Sequence, residues 1–361
     1  MTAPLARASH IPPPPVHVFV PYAAAGEALI SPYFETAEMR FDVAQWMQAL
    51  GRQWQWVRVT AHNIEAVIDD ARRAGASVFN LCDGDDINGY PGLSVVRALE
   101  AARLAFTGAR RRFYEISTSK LAMKERFRSA GVATAPYVVI NDVTRDLQTA
   151  AREIGFPLFL KPDVSFGAAG ITLRSLARTL DEAQANATLL LAGMHDCHVA
   201  PGGFFAEPYL DGREFTVLCV ADIGAPHGVR VLEPGERVFH PALPEDQRFL
   251  TFERVCGEYS HDERLPDGID LYGYAPAPSS DHAHLVDLAR RAYLAVDGSG
   301  YARVDIRASR RTGEAYVLEV NANCALSSDD TSSVGGILAM SGMSSADLIA
   351  LILTDGEARA L

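Results

Sequence analysis

Short apolar runs alternate with amphipathic stretches along the first third of the chain. Residues 16–20 form a β-branched run that predicts a strand, and residues 36–50 carry apolar side chains at helical spacing before Gly51. The same alternation predicts two more strands, at 56–60 and 78–82, and two more helices, at 63–74 and 93–103. Strands that alternate with helices favour a doubly wound parallel α/β sheet, which we expect to end near residue 115.

The middle of the chain repeats this alternation in a different form. A helix capped by residues 117–119 is predicted to run to Ala130, and Pro162 ends a strand that carries Lys161. The other predicted elements are strands at 137–140, 171–173, 204–210 and 215–220 and helices at 145–154 and 176–191. We expect this block to be α+β.

The last third opens with a long stretch, residues 234–278, that has little periodicity and is rich in Pro, Asp, Glu and Arg. A connection of this length inside a compact domain is usually functional. A helix at 281–296 precedes two strands, 301–308 and 314–320, whose connecting turn predicts a hairpin. A helix at 345–353 is predicted to end the fold.

Composition narrows the class of protein. The 361 residues carry a formal net charge of −12, which disfavours a nucleic-acid or anionic-membrane partner. The sequence has no run of about 18 apolar residues, so no membrane span is predicted. Five scattered cysteines argue against a disulfide framework and favour a cytoplasmic location, and residues 1–15, which end in four prolines, are expected to form a disordered tail.

Only three of the 33 basic residues are lysines: Lys120, Lys124 and Lys161. A position that keeps lysine in an arginine-rich chain can need a compact ammonium group rather than a planar guanidinium. For any one lysine, chance is an equal explanation. The three gain weight only where other features point to the same residues.

The predicted hairpin carries polar residues at alternate positions. Arg303 and Asp305 are two apart on one strand, and Glu319 and Asn321 are two apart on the other, so each pair shares a face. Two carboxylates and an amide oxygen suit Mg²⁺, and an arginine beside them can neutralise phosphoryl charge. The alternative is a surface salt-bridge face on the same hairpin.

Two further segments suit a nucleotide. Lys161 precedes a loop of small residues, 163–170, whose backbone N–H groups can approach a phosphate closely. Residues 207–214 lie between two apolar strands, and the carboxylates of Glu207 and Glu214 can accept hydrogen bonds from an adenine amine and a ribose. Taken singly, each segment is more consistent with an ordinary turn.

The order of these features resembles the ATP-grasp superfamily, and within it the D-alanine–D-alanine ligases. The resemblance covers roughly residues 80–340 and rests on Lys120, on Lys161 with its loop, on residues 207–214, and on the Arg303–Asp305 and Glu319–Asn321 pairs. Two of the three lysines fall on the family's two nucleotide lysines. The resemblance implies an ATP-grasp fold, in which an N-terminal doubly wound α/β domain precedes two α+β lobes that clamp ATP.

By this resemblance the candidate residues receive roles. Those implied to bind ATP are Lys120, Lys161, Gly167 and Ala168 at the phosphates, Glu207, Pro208, Tyr209 and Leu210 at adenine, and Glu214 at the ribose. Those implied to hold Mg²⁺, in two ions and with Mn²⁺ as an alternative, are Asp305, Glu319 and Asn321. Arg303 is implied to stabilise the acyl phosphate and the tetrahedral intermediate.

The activity that the resemblance implies is a two-step ligation. A substrate carboxylate attacks the γ-phosphate of ATP and gives an acyl phosphate and ADP. An amine then attacks the activated carbonyl and releases phosphate. Small-molecule acid and amine substrates and a homodimer are the implied partners.

The chain departs from the family's pattern in both of its loops. The family has a serine in the glycine-rich loop, where this chain has Gly167. The family's mobile loop carries a Tyr and a Lys, whereas residues 251–256 contain neither, and Arg254 is the candidate substitute.

The departures extend to the substrate region. Asp330, preceded by Asp329, falls where the family has a carboxylate-binding serine. An anion there would repel a substrate carboxylate and favour a cationic or hydroxyl-bearing acceptor. Near the N-terminus, Glu27 is a candidate contact for a substrate amine.

We therefore predict a tail at 1–15, an α/β domain at 16–115, a small ATP-grasp lobe at 116–206 and a large lobe with the magnesium site at 207–361. The predicted function is ATP- and Mg²⁺-dependent ligation of an amino-acid carboxylate to an amine, outside primary cell-wall synthesis. The open alternatives are a D-alanine–D-alanine ligase proper, an ATP-grasp phosphotransferase that stops at a phosphorylated product, and a non-catalytic nucleotide-binding module.

Overall fold

A computed structural model describes residues 13–25, 28–31, 34–84, 89–195, 197, 199–256 and 270–359. These residues form two compact units. One contains the described residues up to Gly108 and those from Ala346 onward, and the other is Ala109–Ser345. The domain boundaries predicted at residues 115 and 206 lie inside the second unit and stay predictions.

The first unit is built around a parallel sheet. Its elements before Gly108 are β1 (Val16–Pro21), β2 (Ala23–Ala25), β3 (Ala28–Ile30), α1 (Ala37–Ala49), β4 (Trp54–Val59), α2 (Ile64–Ala74), β5 (Ser77–Asn80) and α3 (Leu93–Ala102). The three sheet strands are parallel in the order β4–β1–β5, which confirms the predicted parallel arrangement. Every residue of the central strand β1 is buried, as expected for a parallel strand covered on both faces.

The second unit begins with a small antiparallel sheet. Its elements are α4 (Arg111–Thr118), α5 (Lys120–Ser129), β6 (Val138–Val139), α6 (Val143–Glu153), β7 (Leu158–Pro162), β8 (Leu176–Ala177), α7 (Leu180–Ala192) and β9 (Phe204–Pro208). The strand order is β6–β9–β7–β8. Helices α6 and α7 and this sheet share one apolar core, against which β7 and β9 pack.

One helix of this region was not predicted, and two predictions were wrong in detail. Helix α4 was missed, and Ser119 separates it from α5 because its hydroxyl caps the second helix. The strand predicted at 171–173 is instead a turn, in which Thr172 and Ser175 form a reciprocal capping box. The helix predicted from residue 176 begins at Leu180, because Thr179 is its N-cap.

A six-stranded antiparallel sheet makes up the rest of the second unit. Its elements are β10 (Glu214–Ala221), β11 (Val229–Val231), β12 (Gly235–Phe239), α8 (Phe252–Cys256), β13 (Tyr272–Pro276), α9 (Ser279–Ala295), β14 (Tyr301–Ala308), β15 (Ala315–Ala322) and α10 (Ser333–Ser341). The order is β13–β12–β10–β14–β15, and β11 pairs with the far end of β10. The final helix, α11 (Ser345–Ala358), contributes its residues from Ala346 to the first unit.

The stretch 234–278, predicted to lack regular structure, contains β12, the short helix α8 and β13. Both strands are only partly buried, so their apolar residues do not alternate cleanly. Helix α10 was also missed, since Gly335 and Gly336 lie within it and glycine disfavours a helix interior.

Among the described residues, no single helix is both long and apolar enough to cross a membrane. Helices α10 and α11, taken together as a bent pair, are long and apolar enough by length and composition alone.

Candidate active site

The hairpin of β14 and β15 gathers four polar side chains on one face. Arg303 lies opposite Asn321, and Asp305 lies opposite Glu319. The Arg303 guanidinium donates to both Asp305 oxygens, with Nε–Oδ1 at 2.9 Å and Nη2–Oδ2 at 2.8 Å. Asn321 Nδ2 donates to Asp305 Oδ2 at 2.9 Å and to Glu319 Oε1 at 3.2 Å. The predicted convergence of these residues is confirmed.

The donor set on this face fits a hard divalent cation. Asp305 and Glu319 offer carboxylate oxygens, and a half-turn of the Asn321 amide would present its oxygen in place of Nδ2. Thr216 on β10 donates to Asp305 Oδ1 at 3.1 Å and so orients the carboxylate from the neighbouring strand. Within the described part of the chain, no group of three His, Cys, Asp or Glu residues forms a metal cage. Any cation here therefore needs the amide, ligand oxygens or water to complete its shell.

Lys120 joins the hairpin to the small-residue loop. Its Nζ lies 3.4 Å from Glu319 Oε2 and 3.2 Å from Ser165 Oγ. Burial opposes ionisation of Glu319, but the charges of Lys120 and Lys161 outweigh it and lower the pKa of this carboxyl to about 2. Glu319 is therefore an anion at neutral pH, as a cation ligand must be.

The loop after β7 is fixed to the start of α5. The Asp163 carboxylate accepts hydrogen bonds from Ser119 Oγ at 2.7 Å and from the Leu121 N–H at 2.8 Å. Gly167 and Ala168 both have left-handed backbone, with φ of 55° and 62°, which turns the loop back on itself. The candidate phosphate loop thus lies beside the Lys120 ammonium group.

All three lysines of the chain lie in this region, including one that the sequence analysis left without a role. Lys161 Nζ is 2.5 Å from Glu207 Oε1, and Lys124 Nζ is 2.7 Å from Glu207 Oε2. Burial opposes ionisation of Glu207, but the charges of Lys124 and Lys161 lower its pKa below the usual value. Lys124 follows Lys120 by four residues on one helix, so the two share a face, and that spacing was the available signal.

An aromatic cluster lies next to Glu207. Tyr209 stacks on Phe159 at 5.9 Å between ring centres, and Phe249 meets Phe159 edge-on at 5.0 Å. Lys161 Nζ lies 5.5 Å from the centre of the Phe159 ring. Pro208 ends β9, and Leu210 beyond it is buried. The segment predicted to bind adenine therefore borders an apolar wall, to which Phe159 and Phe249 contribute without having been predicted.

Glu214, predicted to bind ribose, is enclosed by two arginines that the sequence analysis did not single out. Arg237 Nη1 pairs with Glu214 Oε1, and Arg307 Nη1 lies 3.0 Å from Oε2. All three side chains are buried. Arg307 also donates to the Tyr209 hydroxyl at 3.1 Å, which connects the ion pair to the aromatic cluster.

Arg254, the predicted substitute for a loop lysine, is buried in the middle of α8. Its guanidinium donates to the main-chain oxygens of Gln247 and Phe249. These bonds hold the turn that carries the Phe249 ring. The catalytic role predicted for Arg254 stays a prediction.

The predicted substrate residues that the structure describes lie at the surface, just before α10. Asp329 and Asp330 are exposed, and the Asp329 carboxylate accepts from the N–H and hydroxyl of Thr331. Ser333, three residues beyond Asp330, accepts a hydrogen bond from Arg303 Nη1 at 3.4 Å. This bond links the start of α10 to the hairpin. Glu27 lies outside the described residues.

Replacing Gly335 by alanine is expected to destabilise the turn that carries Asp329 and Asp330. An added Cβ at Gly335 would lie 1.9 Å from the Asp329 carbonyl oxygen, so the turn must move. We expect the free energy of unfolding in urea to fall by about 1 to 3 kcal/mol. The control is Ala339→Ser, at an exposed position of the same helix, and equal stability of both variants would contradict the prediction.

Known proteins share this sequence pattern. Residues 127–354 match the family model described as "D-ala D-ala ligase C-terminus". D-alanine–D-alanine ligase B of Xanthomonas campestris pv. campestris is 27% identical over 248 residues, which are 68% of this chain and 67% of that protein. A D-alanine–D-alanine ligase of Kocuria rhizophila is 29% identical over 216 residues, covering 57% of this chain and 49% of that protein.

Solved structures share the fold. The crystal structure of D-alanine–D-alanine ligase from Bacillus anthracis complexed with ATP has a TM-score of 0.63, 15% identity, and coverage of 96% of this chain and 98% of that one. The D-alanine–D-alanine ligase from Coxiella burnetii gives a TM-score of 0.63 at 15% identity, with 96% of each chain covered. At this identity the likeness is one of fold.

Proposed function

Because the chain belongs to the D-alanine–D-alanine ligase C-terminal family, and so is an ATP-dependent ligase with an ATP-grasp fold, we propose that it joins an amino-acid carboxylate to an amine through an acyl phosphate. The observation that carries the proposal is the joint placement of three groups. The hairpin of Arg303, Asp305 and Glu319, the Lys120 ammonium and the Lys161–Glu207 pair lie in one unit and are connected by the contacts given above.

Each group then has a proposed task. Lys120 and Lys161, with the loop at Gly167 and Ala168, hold the phosphates, and the segment 207–210 holds the base beside the aromatic cluster. Arg303 neutralises charge on the acyl phosphate and on the oxyanion of the second step. Positioning and electrostatic stabilisation provide the rate enhancement, so no side chain needs to form a covalent bond.

A divalent cation is part of the proposal. Asp305, Glu319 and Asn321 would hold Mg²⁺, in two ions, with Mn²⁺ as an alternative. Bound there, the cation would supply charge neutralisation for the transferred phosphoryl group. The homodimer and the cytoplasmic location expected from the sequence also remain proposals.

Two substrate classes compete for the acceptor. The names of the relatives favour D-alanine as acid and acceptor. The exposed carboxylate of Asp330 favours an acceptor without a free carboxylate, because like charges repel. We propose the second class, an amine or a hydroxyl-bearing acceptor outside cell-wall synthesis.

The test of the proposed function is ADP release with ATP and Mg²⁺ against pooled D- and L-amino acids, with and without added amines. Release only with acid and amine together supports ligation. A rate of ADP release with D-alanine alone that exceeds the rate with every other pool by a wide margin would contradict the proposed acceptor class. A phosphorylated product without amine dependence would favour a phosphotransferase, and ATP binding without turnover in any pool would favour a non-catalytic module.

Replacing Asp330 by serine is expected to widen the acceptor range. Removal of the anion should raise kcat/KM for free amino acids as acceptors about tenfold or more, while their amides, which lack the carboxylate, should change little. Asp330→Asn, which removes only the charge, is the matched variant and should give most of the gain. Equal changes in kcat/KM for free amino acids and for their amides would show that Asp330 does not act on the carboxylate of the acceptor.

A further inference from the structure

Three buried ionic side chains form one row across the large sheet. Arg237 on β12 lies opposite Glu214 on β10, and Glu214 lies opposite Arg307 on β14. Each guanidinium forms an ion pair with one carboxylate oxygen, so both oxygens of Glu214 are paired. The three residues are 5–7% exposed. Glu214 is therefore first of all the counter-ion of two arginines.

This row carries more positive than negative charge. Two guanidiniums share one carboxylate, and among the described residues no other acidic side chain forms an ion pair with either arginine. Arg307 Nε is buried and has no hydrogen-bond partner there. A buried charge without a counter-charge costs free energy. The row is therefore suited to bind the anionic group of a ligand.

The row lies next to the candidate metal ligands. Glu214 and Thr216 are two residues apart on β10, and Arg307 and Asp305 are two residues apart on β14, so each pair lies on one face of the sheet. The row of three ionic side chains therefore lies on the same face as the row of Thr216, Asp305 and Glu319. Two residues along a strand correspond to about 7 Å. Burial alone would lower the pKa of Arg237, but the negative charges of Glu214 and, less strongly, Asp305 raise it, so its guanidinium stays protonated.

The two arginines face different ends of the site. Arg307 donates to the Tyr209 hydroxyl and to the Arg248 carbonyl at 2.6 Å, beside the aromatic cluster. Arg237 donates to the Tyr274 hydroxyl at 3.0 Å, and Tyr274 packs against Gly336 of α10, the helix whose Ser333 contacts Arg303. Arg307 is thus on the base side, and Arg237 is on the side of the hairpin arginine.

We propose that Arg237 is a further catalytic residue, whose guanidinium contacts the terminal phosphoryl group of ATP as it is transferred. The proposal rests on the proposed ligase function. In the step concerned, a substrate carboxylate oxygen forms a bond to the γ-phosphorus. The bond from that phosphorus to the bridging oxygen breaks, and its electron pair leaves on the β-phosphate of ADP. Arg237 offsets negative charge on the moving group from a rigid strand.

The test compares three nucleotides in binding and then in turnover. With Arg237→Met, calorimetry in the presence of Mg²⁺ should show ATP binding weakened about tenfold or more, with ADP and AMP binding changed less than about threefold. The kcat for ADP release with the best substrate pair should fall about 100-fold. Arg237→Lys, which keeps the charge, should recover part of both losses.

Two control variants separate the proposed role from a structural one. Arg307→Met, which disturbs the same carboxylate from the base side, should weaken ATP, ADP and AMP alike. Arg213→Gln changes an exposed arginine beside Glu214 that pairs with Glu236, and should leave all three unchanged.

Three results would overturn the proposal. Equal weakening of ATP, ADP and AMP by Arg237→Met, or thermal unfolding of both Arg237 variants well below the wild type, would make Arg237 a structural support of Glu214 and leave the ligase function intact. Absence of ATP binding and turnover in the wild type would overturn the ligase function together with this proposal.

Discussion

Replacing Asp305 by asparagine is expected to lower ATP-dependent ADP release about 100-fold or more. Asp305 is the centre of the hairpin cluster, since it accepts hydrogen bonds from Arg303, Asn321 and Thr216. Asparagine keeps the shape but removes the charge that would hold a cation and orient the guanidinium. The rate should therefore fall at saturating ATP, and raising the Mg²⁺ concentration should restore only part of it.

The measurement is the initial rate of ADP release across a Mg²⁺ titration, with circular dichroism to show that the variant is folded. Glu314→Gln, at an exposed position just before β15 of the same hairpin, is the matched control and should keep the wild-type rate. A folded Asp305→Asn enzyme with more than about a third of the wild-type rate would rule out the proposed role of the hairpin. Loss of a charged group with that role is expected to lower the rate about 100-fold or more.

Replacing Lys124 by methionine is expected to cause the largest loss of stability, about 3 to 5 kcal/mol in the free energy of unfolding. Lys124 is 1% exposed, and its Nζ contacts Glu207 Oε2, Thr134 Oγ1 at 3.2 Å and the Ala135 carbonyl at 3.1 Å. Methionine fills a similar volume but leaves the buried Glu207 carboxylate with Lys161 as its one remaining cation among the residues that the structure describes. Urea unfolding followed by circular dichroism measures the loss.

A double-mutant cycle separates the ion pair from packing. Glu207→Gln should also destabilise the protein, but the double variant with Lys124→Met should lose clearly less than the sum of the two. Strict additivity would show that the pair is not the source of the effect. Arg73→Met, which removes one partner of the exposed Arg73–Asp70 pair, is the control and should have a far smaller effect.

These two predictions concern different ends of one arrangement. Lys124 is not exposed to a ligand, and it acts by holding Glu207 where Lys161 can pair with it. Asp305 acts on the polar face of the hairpin, which Lys120 joins to the phosphate loop. Stability should therefore respond most to the first substitution and turnover most to the second.

The sequence by itself determined the features that depend on neighbours along the chain. Alternation of polar and apolar residues with period two placed Arg303 and Asp305 on one face of their strand, and Glu319 and Asn321 on one face of theirs. The Ser119 cap was readable in the same way. With the resemblance to the D-alanine–D-alanine ligases, this was enough to predict the fold class, the ligase chemistry and the convergence of the hairpin residues.

Only the tertiary structure decided which distant groups share a charge. Glu214 and Arg237 come together because β10 pairs with β12, and Lys124 on α5 meets Glu207 on β9 in a tertiary ion pair. Phe249 reaches the aromatic cluster from a stretch with little periodicity. Strand pairing and helix packing bring together residues that are far apart in the chain. A local pattern of hydrophobic residues carries no information about such contacts. The residues that set the electrostatics of the site were therefore visible only once the sheets were formed.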